Sequence, residues 1–203
     1  MSSNQIKNVV FDVGNVIVRW SPLEITQLTF GNIADPEARA LSIFQSAIWS
    51  DLNKGFLTEN EAKLRYQQEL DLSSLECDHL FYYVKQTQIL LYGSVDLIER
   101  VKHVVYALTD NVAEIVEYLK ATYEFWPLFD GAVVSAELGV LKPQPEIYQA
   151  LLSNNGLEAS ETVFIDDMPY NVEGAKAVGM ARIQFIDAVQ CENELRALGV
   201  EFT

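Results

Sequence analysis

The chain opens on an apolar run over residues 7–12 that ends at a carboxylate, Val9-Val10-Phe11-Asp12, followed by Val13-Gly14-Asn15 and a second apolar stretch, Val16-Ile17-Val18. A β-branched run bounded by Gly and Asn predicts a buried strand leading into a tight loop. After it the pattern turns helical. Ser21-Pro22-Leu23-Glu24 supplies an N-cap, Pro at N1 and Glu at N3, and Asp35-Pro36 starts a second helix. Thr58-Glu59-Asn60-Glu61 is a capping box for a third helix through about Leu70, and a fourth, rich in aromatics, is expected from about Ser74 to Leu91. Ser50 to Phe56, between the second and third, reads as a polar loop. Residues 20–91 are therefore expected to be all-helical.

Beyond residue 91 strands and helices alternate. Ser94 is expected to cap a short helix to about Lys102. Strands are expected at His103–Leu108, Ala132–Ser135, Thr162–Ile165 and Arg182–Ile186. Between and after them lie helices at Val112–Ala121, Pro145–Ser153, stopped by Gly156, and Asn171–Ala177, stopped by Gly179, with one more helix closing the chain. Alternation of this kind predicts an α/β fold: a Rossmann-like parallel five-stranded sheet with helices on both faces. The helical block interrupts the alternation once, directly after strand one. The expected division is an α/β core of residues 1–19 and 92–203, with a helical cap of residues 20–91. Such an insertion sits at the C-terminal edge of the sheet, where open α/β sheets bind ligands.

Composition narrows the function. At 203 residues, 49% hydrophobic and 21% charged, the chain suits a folded domain with an inserted module. The net charge is −15 with no basic cluster, which argues against a nucleic-acid partner. An anionic ligand would need local donors or a cation. Cys77 and Cys191 lie far apart without metal spacing, as expected of reduced thiols in a cytoplasmic protein. The polar N-terminus, and the interruption of the apolar run at Asp12, fit neither a signal peptide nor a membrane span.

In a parallel sheet, Asp12, Thr109 and Asp166-Asp167 all fall at strand ends on one edge. Each has an ordinary reading alone: Asp12 as a turn residue, Thr109-Asp110-Asn111 and the acid pair as helix caps, Lys142 as a solvated charge. Together they describe one site. Clustered carboxylates call for a cation, and all-oxygen ligands favour Mg²⁺ over Zn²⁺. Lys142, in the loop before the helix at Pro145, can neutralise both a phosphate and an aspartate.

The order of these motifs resembles the haloacid dehalogenase superfamily of phosphohydrolases. Phe11-Asp12-Val13-Gly14-Asn15 resembles motif one, Leu108-Thr109-Asp110 motif two, Lys142-Pro143 motif three, and Phe164-Ile165-Asp166-Asp167 with Asn171 motif four. The block 20–91 sits where the C1-type cap sits. The segment Trp49 to Thr58 is similar to the family's cap loop. The Asp-x-Gly-Asn form of motif one is similar to the α-glucose-1-phosphatase-like subgroup. The resemblance implies that Asp12 is a nucleophile forming an aspartyl-phosphate on a small phosphorylated metabolite. It implies Mg²⁺ bound by Asp12, the Gly14 carbonyl and one or both of Asp166 and Asp167, with Asn171 orienting that shell. Asn15, Thr109, Asp110 and Lys142 are the implied substrate-binding groups, and Lys142 also steadies Asp12 and the transferring charge.

Two positions depart from the family pattern. Gly14 stands where most family phosphatases carry an acid/base Asp, a loss that typically costs about 10²–10⁴ in rate. Asp110 stands where Asn is common. A good leaving group, such as the anomeric oxygen of a hexose 1-phosphate, would tolerate the missing acid. The alternative is a non-catalytic protein that binds the phosphorylated ligand and has lost turnover. A metal-free dehalogenase and a phosphomutase fit less well, the latter because it depends on the missing acid. Trp20, Trp49, Asp51, Asn53 and Lys54 are cap candidates for specificity. His79 and His103 receive no role.

Overall fold

The computed structural model describes residues 5–203. Five strands, β1 (Asn8–Phe11), β2 (Val104–Thr109), β3 (Gly131–Val134), β4 (Thr162–Asp166) and β5 (Ala181–Gln184), form one sheet in the order β3-β2-β1-β4-β5, with every pairing parallel. β1 is central and buried on both faces. Val9 and Phe11 enter one apolar cluster and Val10 the other, following the two-residue side-chain period of a strand. β2 and β4 divide the same way: Val105, Ala107, Val163 and Ile165 on one side, Tyr106, Leu108 and Phe164 on the other.

Between β1 and β2 run α1 (Pro22–Phe30), α2 (Pro36–Phe44), α3 (Ala47–Asn53), α4 (Glu59–Glu69), α5 (Ser74–Gln86) and α6 (Tyr92–Arg100). The caps at Ser21, Asp35, Thr58 and Ser73 accept the backbone N–H bonds expected of them; those at Thr58 and Ser73 are full capping boxes. The chain enters and leaves this block through two antiparallel segments. The N–H of Arg19 donates to Ile89, that of Leu91 donates to Ile17, and Val18 bridges Leu90. Ile25, Ile43, Leu52, Tyr66 and Phe81 of the block belong to the same buried cluster as Val9 and Phe11, so helices and sheet share one core.

The remaining helices are α7 (Ala113–Thr122), α8 (Ser135–Leu138), α9 (Pro145–Asn155), α10 (Pro169–Ala177) and α11 (Ala188–Ala197), with short 3₁₀ turns at Trp126–Leu128 and Ala159–Glu161. α9 ends at Gly156 in the left-handed region, as the sequence suggests.

Several expectations need correction. Ser50 to Asn53 is not loop but the second half of α3. Ser46 caps this helix, and its buried Ile48 and Leu52 lie four residues apart on one face. α5 stops at Gln86, five residues early, because residues 87–91 leave the block as the exit segment. α6 begins at Tyr92, so Ser94 is a buried residue inside it and not its cap. α10 begins at Pro169, two residues before Asn171, because Pro suits a first helical turn. β3 stops at Val134, and Ser135 opens α8 instead. No helix among the described residues is long and apolar enough to cross a membrane.

Candidate active site

The parallel register carries three of the motifs to one edge. Phe11 pairs with Ala107 on one side and Ile165 on the other, so Asp12 follows beside Asp166, and its N–H donates to the Ile165 carbonyl at 2.9 Å. Lys142 completes the group. Its Nζ lies 2.8 Å from Asp12 Oδ1 and 2.7 Å from Asp166 Oδ2, and it donates to the Leu108 carbonyl at 3.3 Å. The lysine side chain is 1% exposed, so the pair is a buried ionic one that relies on geometry and added hydrogen bonds to offset desolvation.

The two acids after β4 have different environments. Asp166 is fully buried and saturated: Lys142 donates to Oδ2, the Met168 N–H to Oδ1, and Asn171 Nδ2 to both oxygens. Asp167 is half-buried and receives Asn15 Nδ2 at Oδ2, 3.2 Å away. Asn15 also accepts the Trp20 N–H at 2.9 Å, and its φ of +53° is a left-handed conformation that Asn tolerates better than most residues. One side chain thus ties the loop after β1 to both Asp167 and the start of the helical block.

On Asp12, Lys142 and the Val13 N–H (2.7 Å) both contact Oδ1. Among the described residues Oδ2 has no hydrogen-bond donor. Burial pushes the Asp12 carboxyl well above the usual carboxylate range, Lys142 pulls against that, and the Asp166 charge adds to it. Lys142 is lowered by burial, but Asp12, Asp166 and Asp110 outweigh this and hold it above the ordinary lysine range, so it stays charged. Burial also raises Asp110 and Asp167. Carboxylate oxygens of Asp12, Asp166 and Asp167 lie within 4.8 Å of one another, an oxygen-only cluster suited to a hard divalent cation.

A cavity of about 860 Å³ opens above this cluster. Asp12, Gly14, Asn15, Asp110, Lys142, Asp167 and Asn171 line its floor, and residues of α1, α2 and α3 line its wall. Thr109 is 1% exposed at the end of β2, and the wall there is made by Asp110 and Asn111. Asp110 Oδ1 accepts the Lys142 N–H at 3.0 Å, which fixes the lysine's loop against the β2 loop. Of the cap candidates, Trp20, Trp49 and Asn53 line the cavity. Asp51 instead pairs with Arg65 at 3.0 Å, and Lys54 caps the end of α3. His103 accepts the Glu201 N–H, away from the site.

Sequence reasoning missed Ser135. Its fully buried hydroxyl donates to the Asn53 carbonyl (2.6 Å) and accepts the Asn111 N–H (2.9 Å), bridging α3 to the β2 loop. It also missed Phe44, Leu23 and Gln88 in the wall. No local motif marks any of these, because their neighbours come from distant segments.

The chain is similar to several known proteins. Sesquiterpene phosphatase astK of Aspergillus oryzae is 28% identical over 198 residues, covering 95% of this chain and 96% of that protein. The D-ribitol-5-phosphate phosphatase of Bacteroides thetaiotaomicron is 28% identical over 207 residues, covering 95% and 98%. The fold is shared with a HAD family enzyme of Bacteroides thetaiotaomicron solved in complex with magnesium and inorganic phosphate, at a TM-score of 0.71 and 23% identity over 90% of this chain and 95% of that one. The family model for haloacid dehalogenase-like hydrolase matches residues 6–179, and the chain belongs to that family.

Proposed function

We propose that this protein is a Mg²⁺-dependent phosphatase that hydrolyses a small phosphomonoester through a phosphoaspartate on Asp12. The observation that carries the reading is the way Asp12 is held in the cavity lining: Oδ1 is anchored by Lys142 and the Val13 N–H while Oδ2 has no donor among the described residues. Two relatives named as phosphatases, and a shared fold with a protein solved with magnesium and phosphate, support it.

The donor set fits the cation. Asp12 and Asp167, with the backbone carbonyl of Gly14, would hold Mg²⁺. Asp166, whose oxygens are taken by Lys142, Asn171 and the Met168 N–H, acts instead as the anchor of the lysine. The bound ion supplies positive charge that offsets the repulsion between carboxylate and phosphate. Asp12 Oδ2 attacks phosphorus, an Asp–O–P bond forms, and the bond from phosphorus to the alcohol oxygen breaks. Lys142 stays charged throughout and stabilises the charge on the transferring group. The Thr109 hydroxyl and backbone N–H groups near Asp110 are the proposed phosphate donors at the end of β2, with Asn15 holding Asp167 in place. Water then attacks phosphorus, releasing phosphate and restoring the carboxylate. With Gly14 in place of an acid, the departing alcohol takes its proton from water.

The test is hydrolysis of an aryl phosphate with and without Mg²⁺, comparing native protein with Asp12→Asn. Turnover that needs Mg²⁺ and disappears in Asp12→Asn is expected. An Asp12→Asn variant that retains native turnover removes Asp12 from the chemistry. Mg²⁺-independent turnover removes the metal. Binding of phosphorylated ligands without turnover of any ester favours a non-catalytic protein.

A further inference from the structure

Resting on the phosphatase reading, we infer that the alcohol part of the substrate is apolar and uncharged and larger than a hexose, seated against the wall formed by α1, α2 and α3. Three observations converge on this.

The wall is aromatic and aliphatic. Trp20 and Trp49 stack with ring centroids 5.6 Å apart at 16°, and Phe44 meets both edge-on at 5.4 and 4.9 Å. Leu23 and Leu41 extend the same surface. Leu41 is 53% exposed although it lines the cavity, so its side chain completes an apolar opening and not a packed core.

Several polar residues of the wall are already engaged. Ser46 donates to the Ile43 carbonyl and accepts the Trp49 N–H. Asn53 Nδ2 donates to the Trp49 carbonyl, and Gln88 Nε2 to the Val84 carbonyl. Ser21 accepts the Glu24 N–H, and among the described residues the side chains of Gln45 and Ser50 make no hydrogen bond. A sugar brings several hydroxyls that need partners once water is excluded, and the wall offers few uncommitted ones.

Charge selects in the same direction. Among the described residues Lys142 is the one basic residue in the cavity lining, and it is held between Asp12 and Asp166, while Glu37 adds negative charge to the wall. A second phosphate or a carboxylate on the alcohol would meet no counter-charge. At about 860 Å³ the cavity falls within the range of sites that enclose a whole small molecule, well beyond what a phosphate alone occupies.

The experiment compares kcat/KM of the Mg²⁺-loaded protein for farnesyl monophosphate, glucose 1-phosphate and methyl phosphate. Farnesyl monophosphate is expected to exceed glucose 1-phosphate by about 10²-fold or more. Leu41→Ser, at an exposed position, is expected to lower the farnesyl-to-methyl ratio about 10-fold. Trp49→Ala is expected to lower it further. Equal or better use of glucose 1-phosphate, or a native ratio in Leu41→Ser, overturns the inference. A separate arm follows quenching of tryptophan fluorescence by farnesol, which carries no phosphate. If every ester fails to turn over, the phosphatase reading falls, and this arm still decides the wall: saturable quenching supports the apolar site, and none overturns it.

Discussion

Lys142→Met is the perturbation whose consequence the structure defines most sharply. The side chain is 1% exposed and sits 2.8 Å from Asp12 and 2.7 Å from Asp166, themselves 10% and 0% exposed. At an effective dielectric of about 20, each contact is a gross Coulomb attraction of about 6 kcal/mol, most of it offset by desolvation. The net effect of deleting one partner of a buried pair is a loss of about 3–5 kcal/mol, because the remaining charge is stranded. Here two carboxylates are stranded side by side, so the upper half of that range is expected. For a domain of this length each kcal/mol moves Tm by about 2–4 °C. The assay is thermal and urea unfolding of native and variant proteins in EDTA, repeated with Mg²⁺. The variant should lose about 4–5 kcal/mol in EDTA and recover part of it in Mg²⁺, which returns positive charge to the cluster. Adding Asp12→Asn to the variant should recover part of it without metal, since one stranded charge is gone. A loss below about 1 kcal/mol, or no recovery in the double variant, would refute the view that this lysine neutralises a buried acid pair.

Other perturbations separate the parts of the account. A Cβ on Gly14 meets only the Trp20 Cβ, at 4.0 Å, so Gly14→Asp should fold and raise hydrolysis of alkyl phosphates by about 10²-fold, read as kcat against native protein; an unchanged rate means the acid is not what is missing. Gly55 has φ +70° and a Cβ there would run into the Ala136 carbonyl oxygen, so Gly55→Ala should cost about 1–3 kcal/mol in urea unfolding. Glu59, at the start of α4, pairs with Lys63 one turn on in the same helix at 3.0 Å and with Lys85 of α5 at 2.6 Å. Burial raises its pKa, but hydrogen bonds and charge from the two lysines outweigh that, and its carboxyl lies below the ordinary value. A lowered folded pKa stabilises above the unfolded value of 4.5, and the gain is lost as pH falls through the folded value. Glu59→Gln should therefore cost about 1 kcal/mol near neutral pH and progressively less as pH falls below 4.5, measured by urea titration across that range.

The clustering of the floor residues was legible in the sequence because they lie in short motifs at strand ends and in the loop before α9. Asp12, Lys142, Asp166 and Asp167 needed only the parallel alternation to be brought together, and β1, β2 and β4 announced themselves as continuous apolar runs. The wall was not legible. Trp20, Phe44 and Trp49 come from three separate segments, and the packing of α1 on α2 and of α2 on α3 makes them one surface. α3 was read as loop because Ser50, Asp51, Asn53 and Lys54 are polar. Its signal was the pair Ile48 and Leu52, one helical turn apart, behind the Ser46 cap. Ser135 was read as the end of a strand, and its part in joining Asn53 to Asn111 depends on where α8 and α3 meet. The hexose 1-phosphate suggested by Gly14 rested on the leaving group alone, whereas the wall contributes a preference about the alcohol that Gly14 cannot encode.

The central claim is that Asp12 becomes covalently phosphorylated. Rapid acid quench during turnover of an aryl phosphate, followed by peptide mass spectrometry, tests it directly. A phosphate adduct on the peptide carrying Asp12, formed only with Mg²⁺ and absent from Asp12→Asn, is the expected result. Steady turnover with no adduct at any quench time, or an adduct on another residue, would contradict it.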